Sequence, residues 1–151
     1  MQKPRLLKGP VIARRIRGEL TQRFATLEED HGPVGLRILL RSGDAASEAY
    51  TRRILKTVSR VGPRAELVPL PETISPDQFS NMLTALNQHR GVHGAIIQTP
   101  YPKYISSELV ATTLDPAKDV DCITPLRMGE LFSGLSTFAP ATAAAVVQLL
   151  D

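Results

Sequence analysis

The stretch that decides the fold is His93-Gly94-Ala95-Ile96-Ile97-Gln98-Thr99-Pro100-Tyr101-Pro102. Residues 92–97 form a short apolar run with β-branched side chains, which is typical of a buried strand in an α/β sheet. Gln98 follows at the carboxyl end of that strand, where ligands bind in open parallel sheets. The alternative is that Gln98 only caps the strand and hydrogen-bonds its own loop. The strand alone does not separate these two interpretations.

Working outward from this stretch, helix and strand signals alternate along the chain. Strands are predicted at 36–40, 65–70 and 92–97, and helices at 10–30, 45–61, 76–89 and 106–114, with a last helix beginning near Thr142. A polar loop is predicted at 115–124. Because strands that alternate with helices form parallel sheets covered on both faces, we expect an α/β three-layer sandwich with a mostly parallel sheet.

Length and composition indicate one globular domain. The chain has 151 residues, of which 42% are apolar and 22% charged, enough to bury a core without disulfides. It contains no run of 18 apolar residues, so we expect no transmembrane helix and no membrane partner. The start, Met1-Gln2-Lys3-Pro4-Arg5, lacks the apolar core of a signal peptide, which predicts a cytoplasmic protein.

Charge, cysteine and histidine content argue against a nucleic-acid partner, an internal disulfide and a metal site. The net charge is +3, the charges are dispersed and aromatic residues make up 5%, a pattern that does not favour a nucleic-acid partner. The single Cys122 excludes an internal disulfide. His31, His89 and His93 show no metal-ligand spacing, so no metal is expected.

The first candidate for chemistry besides Gln98 is the helix that begins after Asp44. A helix N-terminus offers free N–H groups and partial positive charge to an anionic or polar ligand. Ser47 and Tyr50 lie in its first turns, and Ile54 is four residues after Tyr50. The alternative is that Tyr50 and Ile54 belong to the core.

The second candidate is Lys118-Asp119-Val120-Asp121. Two carboxylates two residues apart beside a lysine can hold a polar ligand or act in acid–base chemistry. Acidic loop residues are more often simply solvated. Pro140-Ala141-Thr142 indicates a helix-capping turn that needs no functional explanation.

Together these motifs resemble the amino-terminal catalytic domain of the bifunctional methylenetetrahydrofolate dehydrogenase/methenyltetrahydrofolate cyclohydrolase family. The resemblance runs from about Lys8 to Leu150. It rests on residues 43–50, 70–73, 86–87, 92–94, 98–102, 116–121, 129–131 and 140–142. Gln98-Thr99-Pro100-Tyr101-Pro102 and Asp119-Val120-Asp121 carry most of it.

The resemblance implies a tetrahydrofolate derivative as ligand and a role in one-carbon metabolism. In the family, 5,10-methylenetetrahydrofolate is oxidised with NADP or NAD, and the product is hydrolysed to 10-formyltetrahydrofolate. Carried over, Tyr50 orients the folate ring system, Gln98 positions and tunes the catalytic lysine, and Asp121 hydrogen-bonds the pterin edge. Ser47 supports the helix start, and Pro100 lines the substrate site.

Several positions depart from the family pattern. Ile54 occupies the position of the catalytic lysine, and isoleucine cannot transfer a proton, so we expect cyclohydrolase activity to be lost. Cys122 replaces a glycine, and Thr99 and Tyr101 replace leucines. Ala141, Ala143 and Ala145 replace cysteine, proline and glycine. The alternative to a catalytic domain is an inactive relative that serves as a ligand-binding or interaction module.

The family's dinucleotide-binding Rossmann domain has no counterpart in this sequence. It contains no glycine-rich strand-to-helix turn of the kind that binds a dinucleotide. We therefore expect no cofactor in this chain, with NADP or NAD bound only when a Rossmann domain is present. The sequence suggests one catalytic domain over 1–151, truncated in its last helix. A monomer is expected, since the Rossmann domain usually supplies the family's dimer contacts.

Overall fold

A computed structural model describes residues 7–150 as one α/β unit. The elements, in chain order, are α1 (Gly9–His31), β1 (Gly35–Arg41), α2 (Ala45–Val58), β2 (Arg64–Leu70), α3 (Pro76–Gln88), β3 (Gly94–Ile97), α4 (Ser107–Thr113), a 3₁₀ turn (Pro116–Lys118), α5 (Pro125–Phe132) and α6 (Ala141–Leu150).

The three strands form a parallel sheet in the order β2-β1-β3. Ile38 in the central strand pairs with Leu67 of β2 and with Ile96 of β3. Asp119 adds an isolated parallel bridge to Ala95 beyond β3. The predicted α/β architecture with a parallel sheet flanked by helices is confirmed.

The main hydrophobic core lies on the face of the sheet covered by α3 and α4. Side chains alternate between the two faces of a strand, and Leu39 points into this core while its neighbour Leu40 faces α2. The buried cluster consists of Leu39, Leu70, Ile74, Phe79, Leu83, Leu86, Val92, Ala95, Ile97, Ile105, Val110 and Leu114. The central strand is therefore covered on both faces.

Local signals explain where the helices begin and end. Ser75 caps α3 through a reciprocal capping box with Gln78, and Pro76 follows at the first helical position. α1 ends at His31 because Gly32, with φ of 83°, turns the chain out of the helix. The sequence predicts no element for residues 125–141, whereas the structure places α5 there. Its start, Thr124-Pro125, is also an N-cap followed by proline.

α1 packs less tightly than the rest of the unit. None of its 23 residues, all within the described part of the chain, is fully buried. Between α1 and α6 lies an apolar groove of about 390 Å³, lined by residues that include Ile12, Ile16, Ala144 and Leu149. Within residues 7–150, no helix combines the length and apolar character that crossing a bilayer requires.

Candidate functional site

The topology creates a crevice at the carboxyl ends of β1 and β3. The chain leaves β1 toward β2 through α2 and returns past β1 to β3 through α3. Since crossovers between parallel strands are right-handed, the two helices lie on opposite faces, and the strand order reverses between β1 and β3. Ligands bind at such reversal points in open α/β sheets.

Gln98 lies at this crevice, as the sequence predicted. Its backbone N–H donates to the Leu39 carbonyl at 2.9 Å, which fixes it directly after β3. The side chain is half-buried. Within residues 7–150, the side-chain amide of Gln98 takes part in no hydrogen bond. The structure therefore does not support the interpretation that Gln98 only hydrogen-bonds its own loop.

The first turn of α2 lies beside Gln98, with Asp44 as its cap. The Asp44 carboxylate accepts from the Ser47 N–H at 3.3 Å and also from the Ser47 hydroxyl. The hydroxyl bond is the main reason that the pKa of Asp44 is lowered, with the charge of Arg41 a smaller cause. The expectation of a free N-terminus for an anionic ligand is therefore wrong in part, because a carboxylate already occupies it.

Ser47 also links α2 to the loop after β3. Its hydroxyl lies 3.4 Å from the Thr99 carbonyl oxygen. The Thr99–Pro100 peptide is cis, and Pro100 is exposed. Ser47, Gln98 and Pro100 therefore come together at one end of the crevice, with Ser47 as a bridge between the two segments.

Tyr50 and Ile54 lie on the flank of α2. Thr51 is 1% exposed and faces the sheet, whereas Tyr50 is 58% exposed. Residues three and four apart share a helix face, so Ser47, Tyr50 and Ile54 follow one another along that flank. The alternative that Tyr50 belongs to the core is wrong, because its ring is mostly open to solvent; Ile54 is half-buried.

The two carboxylates of Asp119-Val120-Asp121 have different surroundings. Asp119 is fully buried. It accepts from the Thr124 N–H at 2.7 Å, the Thr124 hydroxyl at 2.8 Å and the Asp121 N–H at 3.2 Å. These bonds engage both carboxylate oxygens, so Asp119 holds the turn in place instead of facing a ligand.

Asp121 is half-buried and keeps acceptor capacity. Burial raises the pKa of Asp121, the negative charge of Asp119 raises it further, and the nearby backbone N–H of Ala141 lowers it. Ala141 is the first residue of α6, so Pro140-Ala141-Thr142 is more than a capping turn. It brings a helix N-terminus to the Asp121 carboxylate.

Tyr101 lies near Asp121, although the sequence did not mark it as a site residue. Burial raises the pKa of its phenol, and the charge of Asp121 raises it as well, which places the two groups near each other. The phenol therefore stays protonated at neutral pH. Its only sequence signal was its place within the Gln98-to-Pro102 motif.

Cys122 follows Asp121 in a conformation that suits glycine. Its φ is 59°, in the left-handed region that costs a non-glycine residue about 1–2 kcal/mol. This conformation is consistent with the glycine that the resemblance predicts for this position in the family. Burial raises the pKa of the Cys122 thiol, with the charge of Asp119 the next cause, so Cys122 is no nucleophile.

Within residues 7–150, no three His, Cys, Asp or Glu side chains converge in a way that fits a metal ion. The turn after β1 holds a single glycine, Gly43, and the Asp44 carboxylate at the start of α2 would repel a pyrophosphate.

Comparison with known proteins decides the family. The family model for the tetrahydrofolate dehydrogenase/cyclohydrolase catalytic domain matches residues 7–121. The chain belongs to this family. The bifunctional protein FolD of Streptococcus pneumoniae serotype 4 is 35% identical over 145 residues, which cover 95% of this chain and 51% of that relative.

Solved structures of the family show the same fold. The FolD dehydrogenase/cyclohydrolase of Campylobacter jejuni superposes with a TM-score of 0.92 at 29% identity, covering 97% of this chain and 52% of that one. The Trypanosoma brucei enzyme, solved with NADP cofactor and an inhibitor, gives a TM-score of 0.90 at 28% identity, covering 99% and 52%. This chain spans about half the length of these relatives.

The internal role of Asp119 predicts a large loss of stability on substitution. Asp119→Ala leaves two backbone N–H groups and the Thr124 hydroxyl without their acceptor. Since an unsatisfied buried group costs about 1–3 kcal/mol, urea unfolding should show a loss of about 3 kcal/mol. Asp30→Ala, an exposed aspartate in the last turn of α1, should change the free energy of unfolding by less than about 0.5 kcal/mol. Equal effects of the two substitutions would contradict this role.

Proposed function

We propose that this chain is the folate-binding catalytic domain of a dehydrogenase/cyclohydrolase-type protein of one-carbon metabolism. The observation that carries the proposal is the family match over residues 7–121. It is supported by the loop after Gln98, where the Thr99 carbonyl lies 3.4 Å from the Ser47 hydroxyl of α2 and Tyr101 lies near Asp121. The ligand would be a tetrahydrofolate derivative. A cytoplasmic location is proposed with it, from the sequence alone.

Asp121 would bind the pterin edge. A carboxylate accepts two parallel hydrogen bonds from adjacent ring and amino N–H groups. The half-buried position strengthens such bonds because water competes less. The Asp121 N–H donates to the buried Asp119 carboxylate at 3.2 Å, which anchors the backbone that carries the Asp121 side chain.

Tyr50 and Gln98 would position the ring system. The exposed Tyr50 ring offers a flat surface beside the crevice on which the ligand's aromatic part can stack. The amide of Gln98 can donate and accept at once. Pro100 would line the rim, and Ser47 would act indirectly, by fixing the start of α2 against the Thr99 carbonyl.

Ile54 leads us to propose that hydrolysis is lost. It stands where the family has its catalytic lysine, whose amine acts as a base once desolvation lowers its pKa. The neighbouring Arg53 carries a guanidinium, which is a poor base. Lys56 lies two residues further, about 200° around the helix from Ile54, and is exposed. Neither side chain replaces the lysine.

Dehydrogenation would need a nicotinamide cofactor from outside residues 7–150. When bound, NADP or NAD accepts a hydride from the methylene bridge of the folate. The Trypanosoma brucei relative binds NADP. This chain's own contribution would be to hold the folate ring so that its bridge is presented to the nicotinamide.

Ile54 also favours a second candidate function, a relative that binds a folate or another ligand without catalysis. It would use the same Asp121, Gln98 and Tyr50 contacts. The two candidates differ in turnover, not in binding, so oxidation of 5,10-methylenetetrahydrofolate in the presence of NADP separates them.

The first prediction of the proposed function concerns the affinity for tetrahydrofolate and its dependence on pH. Asp121→Asn should weaken tetrahydrofolate binding by roughly 10- to 100-fold, since a hydrogen bond to a charged group contributes about 1.5–3 kcal/mol. Because the pKa of Asp121 is raised, affinity should fall on acidification at a pH above that expected for an exposed aspartate. Anaerobic calorimetric titration across pH measures both effects.

The matched control is Asp77→Asn, an exposed aspartate at the start of α3. It should leave affinity and pH profile unchanged, and Asp121→Asn should flatten the acid limb, which separates titration of the protein from titration of the ligand. Wild-type affinity in Asp121→Asn would exclude the assigned role.

The second prediction concerns hydrolysis of 5,10-methenyltetrahydrofolate, followed by its absorbance. The wild-type chain should bind the compound and hydrolyse it no faster than buffer does, because Ile54 supplies no base. Ile54→Lys should introduce hydrolysis, and Ile54→Met, of similar length without the amine, should not. Hydrolysis by the wild-type chain that disappears in Asp121→Asn would refute the loss of activity.

A further inference from the structure

One arginine connects the segments on either side of Asp121. Arg127 lies in the first turn of α5, and its side chain is only 21% exposed. The Arg127 Nε–H donates to the Pro116 carbonyl oxygen at 2.8 Å. The Nη1 of the same side chain donates to Glu130 Oε2 at 2.9 Å and to the Thr137 hydroxyl oxygen at 3.3 Å. A single guanidinium therefore joins α5 to the 3₁₀ turn before Asp121 and to the loop after α5.

The loop after α5 is held to this arginine by further contacts. The Thr137 hydroxyl donates to Glu130 Oε2 at 2.9 Å, so Arg127, Glu130 and Thr137 bond one another in a closed ring. The hydrogen bond from Arg127 is the main reason that the pKa of Glu130 is lowered, and the bond from Thr137 is the next cause. The Arg127 guanidinium also lies 5.9 Å from the centre of the Phe138 ring, within the range of a cation–π contact. The loop is therefore anchored at two consecutive residues.

Both ends of this network lead to Asp121. Pro116 begins the 3₁₀ turn five residues before Asp121. On the other side, Thr137 lies four residues before Ala141, the first residue of α6, whose backbone N–H is close to the Asp121 carboxylate. The backbone that carries this carboxylate and the N–H that faces it thus belong to the two segments that Arg127 joins.

We propose that Arg127 is a positioning residue for the folate site, because by joining these two segments it fixes the direction of the Asp121 carboxylate toward the pterin edge. The inference rests on the proposed function and adds to it a residue that acts through Asp121, not by contact with the ligand. The alternative is that Arg127 only stabilises the fold around α5.

Arginine suits this role for a chemical reason. Its planar guanidinium presents several N–H donors in a fixed fork, whereas a lysine ammonium is one charge on a flexible stem. Direction matters at this site, since a carboxylate that accepts two parallel hydrogen bonds loses both when it turns, and hydrogen bonds weaken steeply as they bend. Loss of the fork should therefore reduce folate affinity even where the positive charge is kept.

The test measures the tetrahydrofolate affinity of the 151-residue chain across pH by anaerobic calorimetric titration, at a temperature at which far-UV circular dichroism shows each variant folded. Arg127→Lys keeps the charge without the fork and should weaken binding roughly tenfold. Thr137→Val removes one member of the ring at similar volume and should weaken binding about threefold. The matched controls Arg15→Lys and Thr21→Val, at exposed positions on α1, should bind as the wild-type chain does.

The pH profile separates positioning from a purely structural role. Burial and the charge of Asp119 raise the pKa of Asp121, and the nearby Ala141 N–H lowers it. The Tyr101 phenol also lies near this carboxylate, and neither substitution touches it. If the start of α6 moves away, the lowering effect of Ala141 is lost, so the acid limb of the affinity should shift to higher pH in both variants. A purely structural role lowers the free energy of unfolding and leaves the acid limb at its wild-type position.

Each outcome decides between distinct claims. Wild-type affinity in both variants, or weaker binding with an unmoved acid limb, overturns the positioning role and leaves the folate pocket standing. Equal losses in the α1 controls overturn it as well. If Arg127→Lys does not fold, the result for Thr137→Val decides alone. Absence of binding by the wild-type chain overturns the proposed function and this inference with it.

Discussion

The pairing of β1 with both other strands is the constraint on which the rest of the structure depends. Because β1 is central, the chain must leave it on one side and return on the other. The handedness of crossovers then places α2 and α3 on opposite faces. The crevice between β1 and β3, the position of Gln98 and the approach of α2 all follow from this arrangement.

Two neighbouring aspartates beyond β3 differ in their surroundings, and the proposed function assigns them different roles. Both carboxylate oxygens of Asp119 accept internal hydrogen bonds, which hold the turn that leads to Thr124. Asp121 is thereby held half-buried next to the N-terminus of α6, with an elevated pKa and spare acceptor capacity. The buried Asp119 carboxylate holds the turn in one conformation. The solvent-facing side of the Asp121 carboxylate therefore points in a fixed direction.

The sequence predicted the elements whose signals are local. Apolar runs bounded by proline or glycine gave the three strands, and the Ser75-Pro76 start gave α3. The sequence also predicted that Gln98 lies at the carboxyl end of β3, because that position depends only on the direction of the strand. α5 was missed, because its short amphipathic pattern follows a polar loop, although Thr124-Pro125 was an available signal.

What the sequence could not supply were contacts between distant segments. Nothing local distinguishes Asp119 from Asp121, because the difference comes from Thr124 on one side and Ala141 on the other. The Asp44 carboxylate occupies the N-terminus of α2 by accepting from the Ser47 N–H. This contact depends on the orientation of the Asp44 side chain, which the sequence does not determine. The site assignments for Ser47, Tyr50, Gln98, Pro100 and Asp121 remain predictions that ligand binding must test.

The most direct test of the central claim is a ¹⁵N NMR titration of the 151-residue chain with tetrahydrofolate under anaerobic conditions. The account predicts that the largest amide shifts cluster at Tyr50, Gln98 and Asp121, around the carboxyl ends of β1 and β3. Shifts confined to the apolar groove between α1 and α6, at residues such as Ile16 and Ala144, would contradict it, as would the absence of any saturable change.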